Sequence, residues 1–227
     1  MLSAFMRAVA DLSAPALRRV LALGLIIAVV CFVVLWTVVG LVLGQITFSE
    51  WRLLNWVAEL LGVAAVLGLT WLLFPAVVTI VIGFFVERIA AAVEARNYPG
   101  IAPPRQASVA ETTVTTMRLM GLTILLNLLV LPVYLFLPGL NLFVFLGLNG
   151  YLFGREYFEV VALRRLEPNA ARTMRRRFAG RVFVAGVAIA GLFAVPLVNL
   201  VAPVIATAFM LHFFEGLPRF EPPLRAS

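Results

Sequence analysis

The sequence predicts an all-α integral membrane protein with two long transmembrane helices and two proline-broken, re-entrant (hemi-penetrating) helical hairpins. Three observations carry that prediction. Of 227 residues 63% are hydrophobic, and the mean hydropathy of +1.06 exceeds what a water-facing domain of this size carries on its surface. Residues 20–43 and 53–86 form two apolar stretches long enough to span a bilayer. Residues 119–154 and 182–214 form two more, each interrupted by a pair of prolines. The whole chain, 1–227, reads as a single membrane domain.

Residues 1–19 read as an interfacial lead, with Leu2, Phe5, Met6 and Val9 on one side and Arg7 and Asp11 among the polar positions. Ser13 is placed to cap a helix that Pro15 begins. Arg18 and Arg19 then fall in its first turns, where guanidinium forks, free backbone N–H groups and the positive dipole end together suit a tetrahedral oxyanion. The same pair also reads as a topology anchor under the positive-inside rule.

Residues 20–43 supply twenty-four uncharged positions for the first transmembrane helix. That core is too long for a signal peptide and no small-residue cleavage site follows it. Gly40 and Gly44 form a GxxxG pair. A short loop with Trp51 and Trp56 at an interface leads into the second helix, which continues past Pro75 to about Val86. Glu59 near its outer end is a candidate titrating group on a pathway, or a carboxylate wetted at the interface.

Residues 87–118 are polar, with four Arg and three Glu. Ser108 and Glu111 have the spacing of a capping box. The uncharged run 119–154 follows. At 1.5 Å per residue, 119–131 would be about 20 Å long and 140–154 about 22 Å, against a hydrocarbon core of about 30 Å. Pro132 and Pro138 are therefore expected to break this run into a hairpin whose tip lies inside the membrane.

Residues 155–181 form an Arg-rich loop with eight Arg and three Glu, a net charge of 8 − 3 = +5, which marks the cytoplasmic side. Arg155 and Glu159 are spaced for an i,i+4 ion pair. Counting sides from this loop puts seventeen arginines inside and only Arg52 outside, with both termini cytoplasmic. Run 182–214 repeats the broken design at Pro196 and Pro203. A matched pair of short, proline-interrupted apolar segments points to a binding site in a transporter. Pro132, Pro138, Asn141, Pro196, Asn199, Pro203 and Glu59 are thus the pathway candidates. The tail, 215–227, is expected to be flexible.

All eighteen basic residues are arginine and the net charge is +7. Their placement at the ends of apolar spans, without an aromatic-interleaved basic platform, argues against nucleic-acid binding. Without lysine there is no Walker A loop. The single Cys31 forms no internal disulfide, and with the single His212 it supplies no metal site, so neither metal nor cofactor is expected. No nucleophile, base or carboxylate pair converges, so an enzyme is not expected. His212 alone reads as a structural or interfacial residue.

Pro-Ala-Leu-Arg-Arg at Pro15 to Arg19, Gly-Arg-Glu-Tyr-Phe-Glu at Gly154 to Glu159 and the tip from Val195 to Pro203 resemble the CysZ sulfate permeases and the wider etoposide-induced-protein family. That resemblance covers nearly the whole chain. It implies a multi-pass protein of the bacterial inner membrane, assembled as a homo-oligomer, that imports sulfate or a related oxyanion for cysteine synthesis. The family's Gly-Leu-Arg sulfate motif maps onto Ala16, Leu17 and Arg18, with Arg19 adjacent, so the resemblance implies a substrate site at Leu17, Arg18 and Arg19. Ala16 departs from the motif glycine by a methyl group that hinders close backbone approach to an anion. Importing a divalent anion against an interior-negative potential costs about 4.6 kcal/mol per 100 mV, so uptake needs proton coupling or metabolic removal of the anion. Membrane lipid is the other expected partner. A second reading of the same features is a membrane-shaping or assembly protein that transports nothing.

Overall fold

The computed structural model describes residues 1–43 and 52–218, and the regular structure within them is helical, with no strand. The helices are α1 (Leu2–Asp11), α2 (Pro15–Leu43), α3 (Arg52–Gly83), α4 (Val86–Asn97), α5 (Val109–Phe136), α6 (Asn141–Ala162), α7 (Pro168–Arg177), α8 (Ala179–Ala194), α9 (Pro196–Asn199) and α10 (Ala202–Glu215). A 3₁₀ turn, Pro138–Leu140, joins α5 to α6. The expected loop between α2 and α3, with Gly44 and Trp51, and the last residues of the tail lie outside the described residues.

α2 and α3 run antiparallel. Gly24 of α2 faces Ile82 of α3 so closely that a methyl group there would come within 2.9 Å of Ile82 Cγ1. Farther along, the Phe32 and Phe74 rings lie 5.5 Å apart, and Trp36 Nε1 donates to Thr70 Oγ1 at 2.8 Å. The opposite face of α2, with Ile26, Val30 and Val33, is exposed. In water such a face would be unstable, whereas in a bilayer it meets lipid.

Among the described residues two helical stretches are long and apolar enough to cross a membrane, Pro15–Leu41 and Thr113–Phe136. The second corrects the sequence reading of Pro132. Rather than ending near Leu131, α5 passes through Pro132 to Phe136, and its apolar part of 24 residues is about 36 Å long. Proline removes one intrahelical donor and leaves the Leu128 carbonyl without its usual partner. Only one further turn has to form beyond it, and apolar helices tolerate such an interruption. The break comes at Leu137, whose φ of −130° and ψ of 62° leave the helical region just before Pro138.

The second proline-interrupted run breaks at both prolines. Val195 is extended, Pro196 opens α9, and Pro203 lies in the first turn of α10. Both prolines occupy positions where the missing N–H has no intrahelical partner to lose. α10 then becomes the core of the molecule, with every residue from Ala202 to Phe214 buried. α1 packs on it through Ala4, Ala8 and Asp11, and Phe5 meets Phe209 edge-on at 5.5 Å. Leu2 and Met6 point outward, 77% and 61% exposed, so the bulky face of α1 is turned away from the protein.

α6 and α8 form the tightest helix pair, at Gly150, Gly154 and Gly186. A methyl group on Gly154 would lie 2.6 Å from the Val182 carbonyl oxygen, and one on Gly186 would overlap the backbone at Gly150 and Gly154. Only glycine permits this approach. The polar segments also close as local chemistry dictates: Ser108 Oγ accepts from Glu111 N at 3.1 Å, and Arg155 Nε is 3.1 Å from Glu159 Oε1. Ser13 differs from expectation. Its hydroxyl donates to Ala10 O at 2.7 Å, which closes α1 instead of capping α2.

Candidate functional site

The start of α2 is built without a side-chain cap. Arg18 N donates to Ala14 O at 3.0 Å, so Ala14 takes the capping position with a methyl group that accepts no hydrogen bond. Pro15 has no N–H, and helix geometry leaves the amides of Ala16 and Leu17 without intrahelical acceptors. The positive end of a 29-residue helix lies at this turn, where Ala16 is exposed. Arg18 and Arg19 are exposed, and among the described residues neither guanidinium forms an ion pair or hydrogen bond. Leu17 is buried at 1% exposure. Its side chain anchors the turn in the core, and the whole residue, backbone included, is withdrawn from the surface.

Ser13, Ala14, Pro15 and Ala16 form one wall of an open groove of about 670 Å³, and Ala92, Ala95 and Arg96 of α4 form the other. The methyl group of Ala16 thus lies in the groove itself. Arg96, which sequence reasoning did not single out, brings a guanidinium to this groove, which Arg18 and Arg19 do not line, and is held 3.6 Å from Asp11 Oδ1 through Nε.

Behind this groove lies a buried polar network that joins distant parts of the chain. The only Asp and the only His in the sequence meet in the core, Asp11 Oδ2 lying 2.8 Å from His212 Nε2. His212 Nδ1 is 2.8 Å from the Tyr98 hydroxyl, and Asn97 Nδ2 donates to both Asp11 oxygens at 3.1 and 3.0 Å. Burial raises the Tyr98 pKa, an effect that the nearby Arg7 guanidinium opposes. His212 is thus partnered on both ring nitrogens, in place of the isolated residue the sequence suggested.

A second network ties α4 to the end of α6. Arg164, 5% exposed, clasps Glu94 through Nε at 3.1 Å and a terminal nitrogen at 2.7 Å and also reaches Glu87. Arg165 adds an ion pair to Glu94 at 2.7 Å. Arg105 N donates to Arg164 O at 2.8 Å, which straps the segment after α4 onto the same corner. Two arginines compensate the buried Glu94, so this cluster is a clamp between elements.

The pathway candidates fall in different settings. Pro132 is exposed along α5, and Pro196 is exposed at the start of α9. Asn141 begins α6, and its Oδ1 is buried without a hydrogen-bond partner. Asn199 ends α9, and Pro203 is buried in α10. The side chains of Pro138 and Glu59 lie outside the described residues. Among the described residues, no hydrogen bond or ion pair connects Arg18 or Arg19 to either tip.

The model of one protein family, described as sulfate transporter CysZ/etoposide-induced protein 2.4, matches residues 4–203. That span runs from α1 into the start of α10. No curated protein matches the chain.

Proposed function

The chain belongs to the sulfate transporter CysZ/etoposide-induced protein 2.4 family, and from that premise we propose that it carries sulfate or a related oxyanion across the bacterial inner membrane to supply cysteine synthesis. The family is one of membrane transporters rather than enzymes. The observation that carries the proposal is the first turn of α2, where the exposed Arg18 and Arg19, without an ion pair or hydrogen bond among the described residues, stand by the helix's positive end at the place of the family's Leu-Arg. Charge-assisted hydrogen bonds from guanidinium and amide groups are the strongest donors available for a tetrahedral dianion. Arg96 adds a guanidinium in the neighbouring groove.

In this reading both termini and the Arg-rich segment 155–181 are cytoplasmic, consistent with the arginine distribution. The helix ends around Pro138 and Pro196 line the path in this reading. Copies of the chain assemble as a homo-oligomer, and lipid covers the exposed apolar faces of α2 and α5.

The test is equilibrium binding of radiolabelled sulfate to the purified protein in detergent, with phosphate, chloride and selenite as competitors. Selective binding that falls at least tenfold in Arg18→Gln/Arg19→Gln, with folding intact, is the expected result. Absence of binding by well-folded wild type would favour the membrane-shaping reading and make the arginine pair a topology anchor.

A further inference from the structure

A cavity of about 200 Å³ opens where Arg7 of α1, Tyr98 after α4, Arg181 of α8 and His212 and Glu215 of α10 come together. Neither Arg18 nor Arg19 lines it. Liquid water takes about 30 Å³ per molecule, so the space holds a tetrahedral ion with part of its hydration. Among the described residues neither Arg7 nor Arg181 is in an ion pair. The Arg7 guanidinium is near enough to the Tyr98 hydroxyl to oppose the rise in its pKa, and Arg181 lies over the Phe213 ring with Cζ 5.9 Å from its centroid. Glu215 is the carboxylate in the wall, and Arg165 Nε stands 4.0 Å from it. Two guanidinium groups against one offset carboxylate leave the cavity positive.

The chemistry behind the wall adds a proton-dependent donor. Asp11 faces His212 Nε2 at 2.8 Å, so an ionised Asp11 accepts from Nε2–H. In the neutral imidazole Nδ1 is then an acceptor and takes the Tyr98 hydroxyl hydrogen. A proton on His212 reverses this bond: Nδ1–H donates to the phenol oxygen, and the Tyr98 O–H is free to turn into the cavity. The charged and titratable groups around His212 are Asp11, Arg7 and the Met1 amino group from the α1 end, Arg96 and Tyr98 at the end of α4, Arg181 from α8, and Glu215 on its own helix.

We propose that this cavity binds one tetrahedral oxyanion group, a sulfate or phosphate, between Arg7 and Arg181, with Tyr98 as third donor once His212 is protonated. It is a second anion site, independent of the start of α2. The same chemistry fits a free ion or the phosphate of a lipid headgroup.

The test uses the full chain with Arg18→Gln/Arg19→Gln as background, and measures radiolabelled sulfate and inorganic phosphate separately. Bound ion in that background, weakened about tenfold or more by Arg7→Gln/Arg181→Gln and regained in part by Arg7→Lys/Arg181→Lys, is the expected result. Both arginines are exposed, so these variants keep the core intact. In nanodiscs, displacement of the ion by phosphatidylglycerol but not by phosphatidylcholine identifies a headgroup as the occupant, and no displacement identifies a free ion. Affinity should rise as pH falls, and Tyr98→Phe should remove the rise. Equal affinity with and without Arg7 and Arg181 overturns the site, and a flat pH profile overturns the part given to Tyr98 and His212. No bound ion and no retained phospholipid in the Arg18→Gln/Arg19→Gln background overturns the second site while leaving the α2 site standing. Loss on changing Arg7 and Arg181, with none on changing Arg18 and Arg19 in the wild-type background, contradicts the α2 site instead.

Discussion

The two proline-interrupted runs look alike in sequence and fold differently. In the first, α5 passes through Pro132 and leaves Ile124, Leu128 and Leu135 exposed, with Thr113–Phe136 unburied along its length. In the second, the chain breaks at Pro196 and Pro203, and the helix that follows is buried from Ala202 to Phe214. Proline sets where a helix is free to end, but partners decide what the next segment becomes. α10 has α1, α4 and α6 to pack against, so it serves as a core, whereas α5 offers its surface to the bilayer.

That contrast can be broken by matched substitutions in the two regions. The largest effect is expected at Arg164. Arg164→Leu leaves Glu94 buried without its bidentate partner and should destabilise by about 3–5 kcal/mol, whereas Arg118→Leu at the exposed start of α5 should stay within about 0.5 kcal/mol. Thermal unfolding of both variants in one detergent compares them directly. Next is the glycine seam. Gly186→Ala should destabilise by about 1–3 kcal/mol or more because the methyl group meets backbone, while Gly121→Ala, open on all sides, should stabilise α5 by up to about 1 kcal/mol. Equal shifts in the same scan would erase the distinction between core and lipid-facing helix.

Asp11→Ala should come third, at about 1–3 kcal/mol, because His212 and Asn97 lose a buried acceptor. Asn127→Ala on α5 removes only an exposed bond to Thr123 O at 2.8 Å and should barely move the midpoint. The smallest effect concerns alkaline pH. Burial raises the Tyr98 pKa with Arg7 opposing, so the folded protein holds that proton more tightly than the unfolded chain. The resulting stability is complete below about pH 10 and is lost as pH rises toward the folded value. Tyr98→Phe should flatten that alkaline decline in a stability–pH series.

Most local signals in the sequence are legible, Ser13 excepted. Ser108 caps α5, Arg155 pairs with Glu159, and Pro196 and Pro203 end and start helices, because each depends on residues within one turn. The apolar length of α2 was equally plain. Pro132 misled because its disruption falls near a helix end, where little remains to be lost. The burial of α10 and the Asp11–His212–Tyr98 network depend on elements as much as 201 residues apart, and periodicity says nothing about such pairings. A signal was nevertheless present: the one Asp lies in an apolar lead and the one His in an apolar run, and two such groups become tolerable in a core by meeting. Arg18 and Arg19 are singled out by resemblance, whereas Arg7 and Arg181 come together only through tertiary packing.

The most direct measurement is sulfate flux into liposomes holding oriented wild-type protein or Arg18→Gln/Arg19→Gln, with an imposed sulfate gradient. The account predicts sulfate-selective flux in wild type, reduced at least tenfold in the variant at equal incorporation. Equal flux in both, or none from folded wild type, would contradict it.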